Sequence, residues 1–507
     1  MNVETRKYAV SSTRQRAVEA LCVPELADIV DLVTWVEDHD GEPTAYAANH
    51  VGWVRLHPGG RHEVVHGHDP ILSEDPMAYL PYPIEIAEPS PATSHENSYP
   101  YAAERILSLF ADPERSPDLA IVHTPRHFFP DEGGHVGEHG SLDVIQSRAP
   151  LILSGKGIRR KRFVDAHARL VDVGPTLAHL SGVPEDRLRD DAGAPLDGSV
   201  LRTYLTGESP RAVVGVLWDG APCGDVLYLA ENGRLPNVAR LIQRGVALRG
   251  GGVAQFPSVT LTNHTSILTG VGPGRHGVLG NVYVDRTTGE RVVPNDETTW
   301  HRSHEWLREG VRTVFELVRE HGPADGRAVV TACIDEAIDR GADYSTMELI
   351  RATGAPGGAG SLGDRLPDAA TSPYLKDARW LSDSYFRWGV QVDDLGLAQV
   401  RELFGEGLQK APLLTWWANV VTDAGHHGGG PRSAMAREAL GQADARLGVL
   451  LELLEASGEL DEVAFVLTAD HGFEGAVPPV TGSWRSALDS LGVAYRDEGP
   501  GFVYFGS

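Results

Sequence analysis

Ala212-Val-Val-Gly-Val-Leu-Trp218 runs directly into Asp219-Gly220, and the reading of this stretch decides the fold. An unbroken apolar run that stops at a turn signal reads as a strand buried on both faces, the kind found in parallel sheets. Two further runs repeat the pattern. Leu413–Val421 ends in Thr422-Asp423, and Ala464-Phe-Val-Leu-Thr468 ends in Ala469-Asp470-His471-Gly472. Helical spacing lies between them at Leu235–Leu248, Val311–Glu320, Leu397–Leu408 and Ala434–Leu454. Strands alternating with helices predict an α/β fold, a mainly parallel central sheet with helices on both faces.

Outward from that core, residues 13–37 read as a helix followed by a strand at Ile29–Val36, and Thr44–Leu56 as a pair of short strands. Tyr101–Phe110 and Val171–Leu180 have helical spacing. Asp118–Val122 and Ala149–Leu153 read as short buried strands. Pro70–Pro100 and the glycine-rich Gly354–Gly363 read as surface loops. A chain of 507 residues can bury a large core. No apolar run approaches the ~18 residues of a membrane span, and Met1-Asn-Val-Glu-Thr-Arg-Lys7 has no apolar stretch behind it to make a signal peptide. Three cysteines, Cys22, Cys223 and Cys333, are too few and too scattered for a disulfide framework or a cysteine zinc site, so a cytoplasmic location is expected. The net charge of −25 argues against a nucleic-acid polymer as partner. It leaves room for a small phosphorylated substrate, because bound cations outweigh the global field locally.

The chemistry concentrates at the strand ends. In open α/β sheets, sites form beyond the carboxyl ends of the strands, where Asp219, Asp423 and Asp470 all fall. Asp423 is followed by Ala-Gly-His426-His427, and Asp470 by His471. Carboxylate and imidazole together are the ligand set of zinc and similar divalent ions. Phe256-Pro-Ser-Val-Thr260-Leu-Thr262-Asn263-His-Thr-Ser-Ile-Leu-Thr-Gly270 puts hydroxyls just before a helix N-terminus, where an anion is favoured. A hydroxyl held there beside a metal can act as a nucleophile.

These stretches, with Leu235–Gly245, Gly274–Asn281 and Asp423–Pro431, resemble the alkaline phosphatase superfamily, most closely its nucleotide pyrophosphatase/phosphodiesterase branch. The resemblance implies a phosphoric ester hydrolase with two divalent metal ions, expected to be Zn2+. One ion would be held by Asp219, Asp470 and His471 with Thr260 also on it as nucleophile, the other by Asp423, His427 and a histidine from a His-Gly further on. Asn263 would hold a non-bridging phosphate oxygen. Thr262 stands where the family usually has proline and is a rival nucleophile. His426 stands where the family has glycine, and competes with His427.

No histidine follows His471. Stretches resembling the family's C-terminal region stand at the front instead: Gly137-Glu-His139-Gly-Ser141, Arg148-Ala-Pro-Leu-Ile152, Gly155-Lys-Gly157 and Val171–Leu177. The chain therefore reads as a circular permutant. Residues 1–209 would be the family's C-terminal half and residues 211–507 its N-terminal half, with a cap insertion at about 282–411, together one catalytic domain. His139 is preferred over His135 as the missing ligand by its spacing to Ala149-Pro-Leu-Ile152. The alternative is that residues 1–209 are an unrelated module.

The resemblance implies hydrolysis of a phosphodiester or pyrophosphate bond in a nucleotide-like substrate through a phospho-threonine intermediate. Trp300, Trp416, Trp417 and Tyr283 are candidates to stack on a base, although aromatics are more often core. A phosphomonoesterase or phosphonate hydrolase on the same metal core is the first alternative, and an inactive binding protein with the same fold is the second.

Overall fold

A computed structural model describes residues 3–78, 98–124, 127, 136–296, 298–323, 326, 329–351, 366–475, 482–499 and 501–506, with the side chains of the leading helix from residue 12 onward. His135, the loop at Gly354–Gly363 and most of Pro70–Pro100 lie outside these residues.

The Ala212–Trp218 strand is buried along its whole length and sits near the middle of an eight-stranded sheet. Leu414–Asn419 and Val463–Thr468 flank it, both parallel to it. Beyond Leu414–Asn419 come Thr331–Ile334 and Tyr344–Ser345, also parallel. On the other side Leu151–Gly155 pairs antiparallel with both Val463–Thr468 and Gly245–Leu248, and Arg162–Val164 closes that edge. Leu151–Gly155 is thus the one reversed strand in a mainly parallel sheet. The expected alkaline phosphatase-like α/β architecture holds.

Three details differ from the sequence reading. Leu235–Leu248 splits into a helix, Pro236–Gln243, and the strand Gly245–Leu248, because Gly245 lies against the Leu153 carbonyl in a space no side chain can enter. Residues 282–411 are not wholly a cap, since Thr331–Ile334 and Tyr344–Ser345 belong to the central sheet. A second sheet, of seven antiparallel strands, was not foreseen. It runs Tyr495–Glu498, Phe502–Phe505, Leu119–His123, Val30–His39, Glu42–Asn49, Gly52–His57 and Arg61–Gly67. The short runs that compose it are individually readable, but nothing in a single sequence says that strands near residues 120 and 502 will pair.

The main core gathers apolar side chains from both sides of residue 210, among them Leu151, Leu177, Val214, Val246, Leu414 and Phe465. Trp416, Trp417 and Tyr283 are 0–1% exposed, so these three proposed stacking residues are core.

Candidate active site

Three adjacent strands deliver the acids. Asp219 follows Ala212–Trp218, Asp470 follows Val463–Thr468, and Asp423 comes just after Leu414–Asn419. Asp423 is not on a strand end or in a loop: it lies in the first turn of a helix, Val421–Gly429. In a helix, residues four apart share a face, so His427 turns toward Asp423, with Nε2 at 3.5 Å from Oδ1. His427 Nδ1 lies 3.6 Å from Glu138. His426 points elsewhere. It is fully buried, donates Nδ1–H to the Thr422 carbonyl at 2.5 Å and packs on Phe473.

His139 arrives from the front of the chain. Gly137–Glu138 pairs with Glu474–Gly475, just past His471. His139 then stacks on His471 at 3.7 Å between ring centres, with His427 at 5.3 Å. Its Nδ1–H goes to the Ser258 carbonyl at 2.9 Å, Gly140 N–H goes to Ser258 Oγ, and Ser258 Oγ–H goes to the Ser141 carbonyl. Residues 139–141 are thereby buttoned to the turn that precedes Thr260.

Thr260 opens the helix Thr260–Thr269 and keeps 8% exposure, whereas Thr262 is wholly buried. Asn263 is engaged by its own turn: its Oδ1 takes Gln255 N–H at 2.6 Å, and its amide N–H groups go to the carbonyls of Pro257 and Val259. Asn281, by contrast, accepts Leu261 N–H at 3.1 Å and remains half-buried beside the helix start.

Several contributors had no signal in sequence spacing. Tyr385, on the helix Ser384–Phe404, donates its hydroxyl to Asp423 Oδ2 at 2.6 Å. Its ring stacks on Trp388, which meets Trp300, so an aromatic ledge rises beside Asp423 and His427. His264 and Glu336 flank the other side of the site, 2.8 Å apart. Only Trp300 among the four expected stacking residues joins the ledge.

The donor atoms fit divalent cations. His139, Asp423 and His471 bring one ligand atom each within 4.8 Å of one another, as do Asp219, Asp470 and His471. Asp219 Oδ1, Asp423 Oδ1, Asp470 Oδ2 and His471 Nε2 are buried without a hydrogen-bond partner. Burial of such atoms is unfavourable unless something compensates them. Burial, then the neighbouring Asp470 and Asp423, pushes the Asp219 carboxyl well above its ordinary range. His471 donates Nδ1–H to the Gly472 carbonyl, as His139 does to Ser258, which leaves each Nε2 as the free donor. That arrangement is typical of metal-binding imidazoles. Among the described residues, the side chains in ion-pair contact with Asp219, Asp423 and Asp470 are all histidines.

Residues 213–490 match the model of the type I phosphodiesterase / nucleotide pyrophosphatase family. An uncharacterized pyrophosphatase/phosphodiesterase of Schizosaccharomyces pombe is 33% identical over 113 residues, 19% of this chain and 22% of that protein. The alkaline phosphatase PafA of Elizabethkingia meningoseptica is 32% identical over 120 residues, 22% of this chain and 19% of that protein. Among solved structures, murine ectonucleotide pyrophosphatase / phosphodiesterase 5 matches 52% of this chain and 57% of its own, at 19% identity and a TM-score of 0.34. Phosphonoacetate hydrolase of Sinorhizobium meliloti gives the same coverages at 23% identity and a TM-score of 0.31. The chain thus spans about a fifth of the curated relatives and little more than half of these solved chains.

Proposed function

The chain belongs to the type I phosphodiesterase / nucleotide pyrophosphatase family of the alkaline phosphatase superfamily, and from that premise we propose that it hydrolyses phosphodiester or pyrophosphate bonds in a small nucleotide-like substrate. The observation that carries the reading is the meeting of two overlapping donor sets, His139–Asp423–His471 and Asp219–Asp470–His471. Asp219, Asp470 and His471 would hold one divalent ion, and Asp423, His427 and His139 a second. Bound there, such ions supply Lewis-acid activation of a hydroxyl and compensation of phosphoryl charge.

The chain's own residues do the rest. Thr260 presents its hydroxyl at a helix N-terminus, where the dipole favours an anionic oxygen. Thr260 Oγ gives up its proton to solvent and forms the bond to phosphorus while the bond to the ester or anhydride oxygen breaks, that oxygen leaving as an anion or taking a proton from solvent. A water oxygen then bonds to phosphorus as the Thr260 Oγ–P bond breaks, and a proton from that water restores the Thr260 hydroxyl. Asn281, tied through its Oδ1 to Leu261 N–H, has amide hydrogens to offer a non-bridging oxygen. Tyr385 steadies Asp423, and Glu138 faces the far nitrogen of His427. The Trp300–Trp388–Tyr385 ledge suits a flat ring on the substrate.

The match to the type I phosphodiesterase family supports a diester over a monoester as substrate. The zinc-loaded protein is expected to cleave bis-p-nitrophenyl phosphate faster than p-nitrophenyl phosphate by roughly tenfold or more, about 1.4 kcal/mol of transition-state preference. A faster monoester rate would move the assignment to a phosphatase.

The same reading includes circular permutation. Residues 1–209 supply His139 and the reversed strand Leu151–Gly155, and residues 211–507 supply the other expected ligands. Both halves build one site, as a permuted single domain requires.

A further inference from the structure

His264 lies four residues after Thr260 on the same helix and is 5% exposed. Residues at this spacing share a helix face, which puts the imidazole on the Thr260 side of the helix. The ring is held from behind. Glu336 Oε2 accepts Nδ1–H of His264 at 2.8 Å and Nε1–H of Trp416 at 3.0 Å, while Glu336 Oε1 accepts Ile338 N–H at 3.1 Å. Glu336 is 1% exposed and Trp416 is wholly buried, so the carboxylate is locked by three donors from three parts of the chain.

The front of the ring faces the acids. His264 Nε2 is 3.6 Å from Asp470 Oδ2 and 3.9 Å from Asp219 Oδ2, and it is buried with no hydrogen-bond partner. Asp470 is constrained on its other oxygen, where Oδ1 takes Gly220 N–H at 3.0 Å. His471 stands 3.0 Å from Asp470 Oδ2. The Asp470 carboxylate is therefore bracketed by a backbone amide and two imidazoles. Only one of those imidazoles, His471, belongs to the donor set of Asp219 and Asp470.

We propose that Glu336 and His264 form an outer pair that positions the Asp219 and Asp470 carboxylates for the divalent ion they hold with His471. The proposal deepens the phosphoesterase reading and rests on its metal assignment. Outer partners of this kind orient the ligand oxygens before the ion arrives, and their loss typically lowers metal affinity about 10–100-fold. Trp416 extends the pair into the core, so that a strand of the central sheet fixes Glu336, which fixes His264, which faces the acids. His264 and Glu336 act here as positioning residues.

The test is zinc titration of metal-free protein against a competing chelator, for the wild type, His264→Gln, Glu336→Gln and the double variant. The wild type is expected to bind two ions. Each single variant should lose about 10–100-fold in affinity for one ion and keep the other unchanged. The double variant should be no worse than the weaker single variant, because the two residues act through one another. Wild-type affinity for both ions in either single variant overturns the proposal, and so do losses that add in the double variant. A metal-free thermal midpoint that collapses in the variants also counts against it, by assigning the pair to general packing. If the wild type binds two ions yet cleaves neither phosphate ester, the functional reading fails while the zinc affinities still decide the role of His264. A wild type that binds no zinc overturns both.

Discussion

Thr260 and Thr262 are two residues apart and chemically identical, and burial separates them. Thr262 is fully enclosed, while Thr260 stands at the first position of its helix with part of its surface open. Thr260→Ala should lower turnover by roughly a thousandfold or more and leave two zinc ions bound, whereas Thr262→Ser should turn over at nearly the wild-type rate. Steady-state rates on bis-p-nitrophenyl phosphate, with metal content measured on the same samples, decide between them. A second residue-scale expectation concerns Asp31, far from the site. Burial raises its carboxyl from 3.8 to about 7, even though Tyr99 donates a hydrogen bond to it at 2.8 Å. A carboxyl raised on folding holds its proton longer in the native state, so the contribution of Asp31 to stability is fully present below pH ~4 and is lost as pH climbs through about 7. Asp31→Asn keeps the shape and removes the charge. Thermal melts should show it more stable than the wild type at pH 8 and equal to it at pH 4. Residue type and strand-end position pointed to Asp219, Asp423, Asp470 and His471, while His427 and His139 were singled out by what the family resemblance implies. The resemblance implied a phosphoryl role for Asn263, and neither it nor spacing foretold the hydrogen bonds that tie this amide to its own turn. Tyr385, His264 and Glu336 were invisible as partners, since their meaning comes only from which strands and helices bring them together.

At the level of elements, the helix Val421–Gly429 sets the geometry of Asp423 and His427, and two glycines set the helix. Gly425, between those residues, lies where an added Cβ would come 2.6 Å from the Ala439 Cβ and 3.3 Å from the Ala436 Cα. The long helix Ala434–Ala456 therefore packs directly on its backbone. Gly389, on the helix that carries Tyr385, has the Val421 Cα at 2.9 Å from the same hypothetical atom. Gly425→Ala should thus push two helices apart, costing about 1–3 kcal/mol. A lower thermal midpoint together with weaker zinc binding is the expected result, and a midpoint unchanged from the wild type would show that the contact relaxes freely. Nothing in the sequence predicts this helix, because Gly425, Gly428 and Gly429 argue against helix in isolation. Packing on both sides overrides that propensity. The long helix behind it, with regular apolar spacing and a Ser433 cap, was readable to within two residues.

At the scale of the whole molecule, the α/β class was legible because apolar runs alternate with helical spacing, and the order of the motifs is what leads us to propose a permutation. The second sheet was not legible, because its pairings join residues near 120 to residues near 502. The two halves are interleaved: the front half lends Leu151–Gly155 to the central sheet, and the back half lends Tyr495–Glu498 and Phe502–Phe505 to the antiparallel one. Co-expressed fragments 1–209 and 210–507 should therefore co-purify and bind two zinc ions, while the back fragment alone should not hold the second. Independent folding of 1–209 with full metal content in 210–507 would make the front half a separate module. The reversed strand also sets a schedule for the nascent chain. Leu151–Gly155 emerges from the ribosome early, yet one of its two partners, Val463–Thr468, is synthesised roughly 300 residues later, on the order of 15–60 s at ordinary elongation rates. Until Gly245–Leu248 is made both edges of this apolar strand are open, and from then until Val463–Thr468 arrives one edge still is, a template for wrong pairing that must be shielded while the chain is completed.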